Sequence, residues 1–336
     1  MKIVVESHIP YLRGRLEPYG TVSYVDNITA DDVRDASVLL VRTRTHCDEA
    51  LLGGSKVRFI GSATIGTDHI DLEYCTRHGI TVCNAPGCNA PAVAQWVLAS
   101  IGQWMMRHWQ SAEMPTLGIV GVGHVGSIVA RWARQLGFSV LLNDPPRQAR
   151  GDEESFVELA QLVGQSDIIT FHTPLTKQGQ WPTWHMCDSD FLRHAQRCRL
   201  LMNAARGAVC DTAALLTWQG HTAIDCWENE PHISRELLEK SLIATPHIAG
   251  YSLEGKMRGA AMMIDALNRH FGWDIEPLIV AAPACGAVRP TLPGIMGSYN
   301  PLADTATLKA MPDRFEHLRN TYSLRPEYQL TVIRKL

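Results

Sequence analysis

Short runs of apolar and often β-branched residues recur along the chain, with amphipathic stretches between them. KIVV, SVLLV, VRFIG and ITVCN lie before residue 85, and LGIVGVG, FSVLLND, DIITFH, CRLLMNA, HTAIDCW and LIATPH lie between residues 117 and 247. Most are apolar at every position, not at alternate ones. Strands read this way when helices cover both faces of a parallel sheet. Strands alternating with helical stretches predict doubly wound α/β units, whose ligands gather at the carboxyl ends of the strands.

The series breaks once. Residues 90–108 have apolar positions at helical spacing, and the polar patch QSAEMP follows. That helix reads as the seam between two α/β units. A second long helix is predicted over SLEGKMRGAAMMIDALNRHF. From about residue 277 to 304 the chain is rich in Pro, Gly and Ala, as a linker is. The polar stretch LKAMPDRFEHLRNTYSLRPEY that follows has room for one helix.

Composition narrows the class. The chain has 336 residues, 46% hydrophobic and 19% charged, which suits two domains with real cores. A net charge of −3 gives no basic field for nucleic acid or an anionic membrane. No run reaches the ~18 apolar residues of a membrane span, and MKIVVESHIPYL lacks a signal-peptide core. Nine cysteines without a CxxC pair predict reduced thiols, not a disulfide framework or a metal knuckle. A cytoplasmic protein with no membrane or nucleic-acid partner and no metal is expected.

The most specific stretch is TLGIVGVGHVGSIVARWARQLGFSVLLND. It reads as strand, glycine turn, amphipathic helix, strand, acid. Gly121 permits the tight turn, Gly123 lets a pyrophosphate approach the backbone, and Gly126 lets helix and strand pack closely. The phosphates then meet free N–H groups at a helix N-terminus. Asp144 follows at the ~20-residue interval where a carboxylate binds the ribose hydroxyls of NAD. It would repel a 2′-phosphate, so NAD is expected and not NADP. Arg147 is the residue placed to soften that preference.

Three later runs each end in a polar residue. These are Arg206 in LLMNAARGAVCD, Asp225 and Glu230 in AIDCWENEP, and His247 in IATPHIAGY. Each alone has a plain reading as a surface arginine, a solvated turn or a loop histidine. Together, behind a nicotinamide fingerprint, they supply what oxidation of a hydroxy acid requires. A guanidinium holds the carboxylate, an imidazole takes the hydroxyl proton, and a carboxylate beside the ring raises its pKa and fixes its tautomer.

At these residues the chain resembles the D-2-hydroxyacid dehydrogenase family, through the fingerprint, NAARGAVCD, DCWENEP and TPHIAG, over roughly residues 1–275. The resemblance implies two Rossmann-like doubly wound parallel-sheet α/β domains with a cleft between them. Residues 1–92, completed by about 252–276, would bind substrate, and residues 93–251 would bind NAD. Arg206 would bind and polarise the substrate, Glu230 would orient the histidine, and His247 would be the acid/base. Asp225 would face the nicotinamide end of NAD.

Other segments, among them GSATIGTDHIDLEYC, FHTPLTKQGQWPTWHM and HIAGYSLEGKMRGA, are similar to one branch of that family that acts on a phosphorylated acid. That likeness implies 4-phospho-D-erythronate as substrate, oxidised at C2 to 2-oxo-3-hydroxy-4-phosphobutanoate in pyridoxal 5′-phosphate biosynthesis. It places Thr43, Thr64 and Tyr251 at substrate contacts, and Thr173 and Gly250 at NAD contacts. It also makes residues 277–336 a linker and a shortened, small α+β segment for homodimerisation. Gln95 departs from it, standing where the branch usually has glutamate. For the substrate's phosphate, Arg42 and Arg44 after VLLV are the candidate cations, with Lys256 and Arg258 also available. A phosphoglycerate or glycerate/hydroxypyruvate dehydrogenase is the nearest alternative, and a NAD-sensing corepressor-type binding protein is the alternative from another class.

Overall fold

The apolar runs form strands in which alternate residues serve opposite faces. The computed structural model describes residues 1–280 and 291–327, together with the backbone of two short strands, Ala287–Val288 and Gln329–Leu330. The chain divides into two compact units, one of residues 1–89 with 252–282 and the other of residues 90–251 with 283–336.

The first unit holds five parallel strands: β1 (Lys2–Glu6), β2 (Thr21–Val25), β3 (Val38–Val41), β4 (Phe59–Ser62) and β5 (Thr81–Cys83), in the order β2-β1-β3-β4-β5. Ile3, Val5, Val38, Leu40 and Phe59 pack under the helix Leu253–Phe271, which contributes Ala260, Met263, Ile264 and Leu267. Val4, Leu39, Val41 and Ile60 fill the opposite layer. Burying such a side chain contributes roughly 1.5–3 kcal/mol. The sequence runs gave no sign of β2. It is an edge strand without a fully buried residue, so it lacks the apolar run that marked the others.

The second unit holds six parallel strands: β6 (Thr116–Val120), β7 (Ser139–Asn143), β8 (Ile168–Phe171), β9 (Leu200–Asn203), β10 (His221–Ile224) and β11 (Ile243–Ala244). Their order is β11-β10-β9-β8-β6-β7. The chain leaves β6 for β7 on one side and returns to β8 on the other. The topological switch point, where such sheets bind ligands, therefore lies between β6 and β8. One face packs on the helix Ala90–His108, whose Trp96, Ile101 and Trp104 are fully buried.

The C-terminal segment differs from the sequence reading. Part of the expected linker (281–286 and 289–290) and the end of the tail (328 and 331–336) lie outside the described residues. Within the rest, helices span Leu292–Ser298, Pro301–Ala310 and Phe315–Asn320, where a linker and one helix were expected. The prolines misled because they occupy first-turn positions that suit them, and Gly294 and Gly297 stand inside the first of these helices. Thr291 and Asn300 cap the first two helices, each with proline in its first turn. Ile295 and Tyr299 enter one core layer of the second unit, and Leu308 and Phe315 enter the other. Thr305 Oγ1 accepts from the Ala244 amide (3.0 Å), so this segment covers the edge strand β11.

Among the described residues no cysteine forms a disulfide, and no helix is long and apolar enough to cross a membrane.

Candidate active site

β6 delivers the chain into the glycine turn at the switch point. Gly121 has a φ of 86°, and a Cβ there would stand 2.8 Å from the His172 carbonyl, so both backbone and space demand glycine. A Cβ on Gly126 would lie 2.1 Å from the Gly121 oxygen. Nothing lies within 4 Å of where a Cβ on Gly123 would stand, which leaves the approach to the backbone open. The helix His124–Gln135 starts there without a side-chain cap. Uncapped first amides of this kind suit an anion. Gly126→Ala is therefore expected to destabilise the fold by about 1–3 kcal/mol and to weaken NAD binding. Thermal melting and tryptophan-fluorescence titration with NAD would read the two effects. Unchanged NAD affinity would mean that this helix start does not hold the cofactor.

Asp144 follows β7 and reaches back to the turn. Its Oδ2 accepts from the Val122 amide (2.8 Å) and its Oδ1 from the Arg147 amide (3.0 Å). Arg147 lies against the same turn, with its Nη1 donating to the Val122 carbonyl (2.6 Å) and its Nε to Asp152 (2.6 Å). Across the switch point, Thr173 Oγ1 and His172 Nδ1 are buried without a hydrogen-bond partner. Burial holds His172 neutral, with its pKa lowered to about 3. An uncapped helix start, an open glycine, an acid at the second strand end and an unmet buried hydroxyl are the parts that a dinucleotide fits.

The other strand ends converge through close backbone approach. Gly207, after Arg206, packs so tightly on residue 227 that a Cβ would stand 1.9 Å from the Trp227 oxygen. Asn203 Nδ2 pins the turn by donating to the carbonyls of Arg206 (2.9 Å) and Gly207 (3.3 Å). Arg206 Nη1 donates to the Ala205 carbonyl (2.9 Å). From the next strand end, Glu230 Oε1 accepts from the Trp227 amide (2.8 Å). Its Oε2 meets His247 Nδ1 at 2.7 Å.

The His247 side chain remains 28% exposed and that of Glu230 18%, so the ring can be reached from outside while the carboxylate is largely shielded. Burial opposes charge on the ring, but Cys226 and Glu230 more than offset it and hold the His247 pKa well above the usual histidine range. Burial pushes the Cys226 thiol up. Burial raises the Glu230 pKa, but His247, the Trp227 amide and Arg319 outweigh it and leave the carboxylate lowered.

Sulfur, carboxylate and imidazole ligand atoms here lie within 4.8 Å of one another. The 2.7 Å Nδ1–Oε2 separation is that of a hydrogen bond, shorter than the about 3.3 Å between ligands on a tetrahedral zinc.

Asp225 is fully buried and organises the histidine loop: its Oδ1 accepts from Thr245 Oγ1 (2.6 Å) and from the amides of Ile248 (2.8 Å) and Ala249 (3.0 Å). Gly250 and Tyr251 follow in the same loop, and Arg319 faces both Tyr251 and Glu230. In the first unit, Arg42, Thr43 and Arg44 follow β3 and Thr64 follows β4. Arg42 Nε is buried without a partner, Thr43 and Arg44 are exposed, and Thr64 Oγ1 bonds Ser62 Oγ (2.8 Å). The sequence reading overlooked Asn203, although it opens the quoted NAARG motif. It also missed Arg319 and Arg325, whose distant position in the chain gives no signal.

The family described as D-isomer specific 2-hydroxyacid dehydrogenase, NAD binding domain, matches residues 89–249. An erythronate-4-phosphate dehydrogenase of Bacteroides thetaiotaomicron is 43% identical over 97% of this chain and 97% of its own length. The chain belongs to the D-isomer specific 2-hydroxyacid dehydrogenases. It is an NAD-dependent oxidoreductase. An erythronate-4-phosphate dehydrogenase of Escherichia coli is 40% identical over 98% of this chain and 92% of its own. In fold, the chain is similar to an NAD-bound 3-phosphoglycerate dehydrogenase of Entamoeba histolytica, with a TM-score of 0.67, 24% identity, and coverage of 83% of this chain and 98% of that one.

Proposed function

We propose that this dehydrogenase oxidises the C2 hydroxyl of 4-phospho-D-erythronate to 2-oxo-3-hydroxy-4-phosphobutanoate, a step toward pyridoxal 5′-phosphate. The observation that carries the chemistry is the 2.7 Å bond between His247 Nδ1 and Glu230 Oε2. The substrate is taken from the name of the relatives 43% and 40% identical. Because the carboxylate accepts, Nδ1 carries the proton and Nε2 presents its lone pair to the hydroxyl. Arg206 holds the substrate carboxylate. Bound NAD supplies the acceptor for the hydride that leaves C2. Gly121, Gly123 and Gly126 cradle its pyrophosphate, Asp144 takes its ribose hydroxyls, and Thr173, Asp225 and Gly250 line the rest of its path.

In this reading residues 1–92, with about 252–276, form the substrate-binding domain and residues 93–251 the NAD-binding domain. Thr43, Thr64 and Tyr251 touch the substrate, and Arg42 or Arg44 takes its phosphate. The unmet Nε of Arg42 supports that assignment. The enzyme works in the cytoplasm as a homodimer, with residues 277–336 as the dimerisation segment.

One assay tests the substrate. The protein with NAD is offered 4-phospho-D-erythronate, D-3-phosphoglycerate and D-glycerate, with a 2-oxo acid present to reoxidise cofactor. Preference for the first is expected, and turnover of phosphoglycerate alone would refute the assignment.

The acid/base pair makes a separate prediction. The base must be neutral to accept a proton, so oxidation rises with pH through the His247 pKa. Glu230→Gln removes the anion that stabilises the imidazolium, so that limb moves to lower pH. A limb that stays in place would mean that Glu230 is not the partner.

A further inference from the structure

The loop from Pro246 to Tyr251 carries His247 at a φ of 56°. That left-handed conformation is costly for a residue with a side chain, and persists when the surroundings over-determine it. The loop is held on two sides by different groups. Asp225 takes its amides: Oδ1 accepts from Ile248 and Ala249, and the Asp225 carbonyl accepts from the His247 amide (2.9 Å). Three of its carbonyls are taken by one residue of the C-terminal segment. Arg325 Nη1 donates to the carbonyls of Ile248 (3.0 Å) and Tyr251 (3.2 Å), and Nη2 donates to those of Ala249 and Ala92, the latter at 3.1 Å.

The guanidinium is itself fixed. Arg325 is only 7% exposed, its centre lies 4.3 Å from the middle of the Tyr299 ring, and its Nε donates to Gln95 Oε1 (3.3 Å). Gln95 in turn donates to Ser298 Oγ (3.2 Å) and the Pro326 carbonyl (3.3 Å). Most of the bonds in this set depend on a planar fork of donors, which an ammonium does not supply.

We infer that Arg325 is a positioning residue, through which the C-terminal segment sets where the His247 ring stands against Glu230. The inference rests on the reading of His247 as the proton acceptor. If Arg325 only fastened the tail to the unit, its loss would lower stability without touching the proton chemistry. If it positions the loop, its loss moves the ring, and a displacement of about 1 Å at a reacting group costs on the order of 10² in rate.

Arg325→Lys in the full chain separates these roles, because it keeps the charge and removes the fork. The expected result is a fall in kcat of about 10- to 100-fold, with the NAD Kd and the substrate KM within about twofold of the parent. The pH limb of oxidation moves down, as the ring draws away from Glu230. Glu230, Cys226 and Asp225 are the titratable groups that face His247, and Arg319 faces Glu230. None of them changes in this variant. Gln95→Ala is the second variant, expected to shift kcat and the limb in the same direction by a smaller amount. A folded variant of either kind that keeps both kcat and the limb overturns the inference. Should His247→Asn abolish turnover while Arg325→Lys leaves kcat and limb intact, the positioning role alone fails. Activity retained in His247→Asn overturns both readings.

Discussion

Replacing His247 with asparagine is expected to lower kcat by about 10²–10⁴-fold, the range that general acid–base groups contribute, while NAD binds as before. Asparagine suits this test because it tolerates the positive φ of this position better than other residues with a side chain. Its amide can also donate to Glu230, so the loop keeps its hydrogen bond and loses only the basic nitrogen. What disappears is a ring whose pKa is held well above the usual histidine range, despite burial, by the neighbouring Cys226 and Glu230. That shift favours a base strong enough to take a proton from an alcohol, so the rate limb is expected above the ordinary imidazole range. Steady-state kinetics across pH, with fluorescence titration of NAD and a thermal melt on the same sample, separate lost chemistry from lost fold. A variant with kcat within tenfold of the parent would remove His247 from the proton path.

The candidate site residues that follow strands were legible in the sequence, because a parallel sheet places every strand's carboxyl end on one side. Arg206, Glu230 and His247 each follow an apolar run, and the sheet order brings β9, β10 and β11 side by side. β2 was not legible, since an edge strand with no fully buried residue leaves no apolar run. The helices Leu292–Ser298 and Pro301–Ala310 were not legible either, because their prolines and glycines imitate a linker. Arg325 lay beyond sequence reasoning for a different reason. Its partners are mostly main-chain carbonyls of residues 248–251 and 92, and a backbone acceptor carries no side-chain signature. Gln95 was noticed as a departure from glutamate, yet only the structure shows that it meets a guanidinium.

Arg206 carries the second large expectation. Arg206→Met should lower kcat/KM for the hydroxy acid by about 10²–10³-fold, as two charge-assisted hydrogen bonds of about 1.5–3 kcal/mol each are lost, at 1.36 kcal/mol per decade and with incomplete additivity. Lysine at the same position retains a positive charge but not the planar pair of donors, so Arg206→Lys should fall between the two. The order Arg, Lys, Met is the informative result. A contribution from charge alone would leave lysine close to the parent, and a structural role would leave lysine and methionine alike. The geometry argues against a purely structural role. The turn around Arg206 is fixed by the side chain of Asn203 and by the close approach of Gly207 to Trp227, neither of which needs the guanidinium. The fold and the NAD affinity should therefore survive both substitutions, so that the loss appears in substrate handling. If NAD affinity fell in step with kcat/KM, Arg206 would be holding the NAD-binding unit together and not the carboxylate.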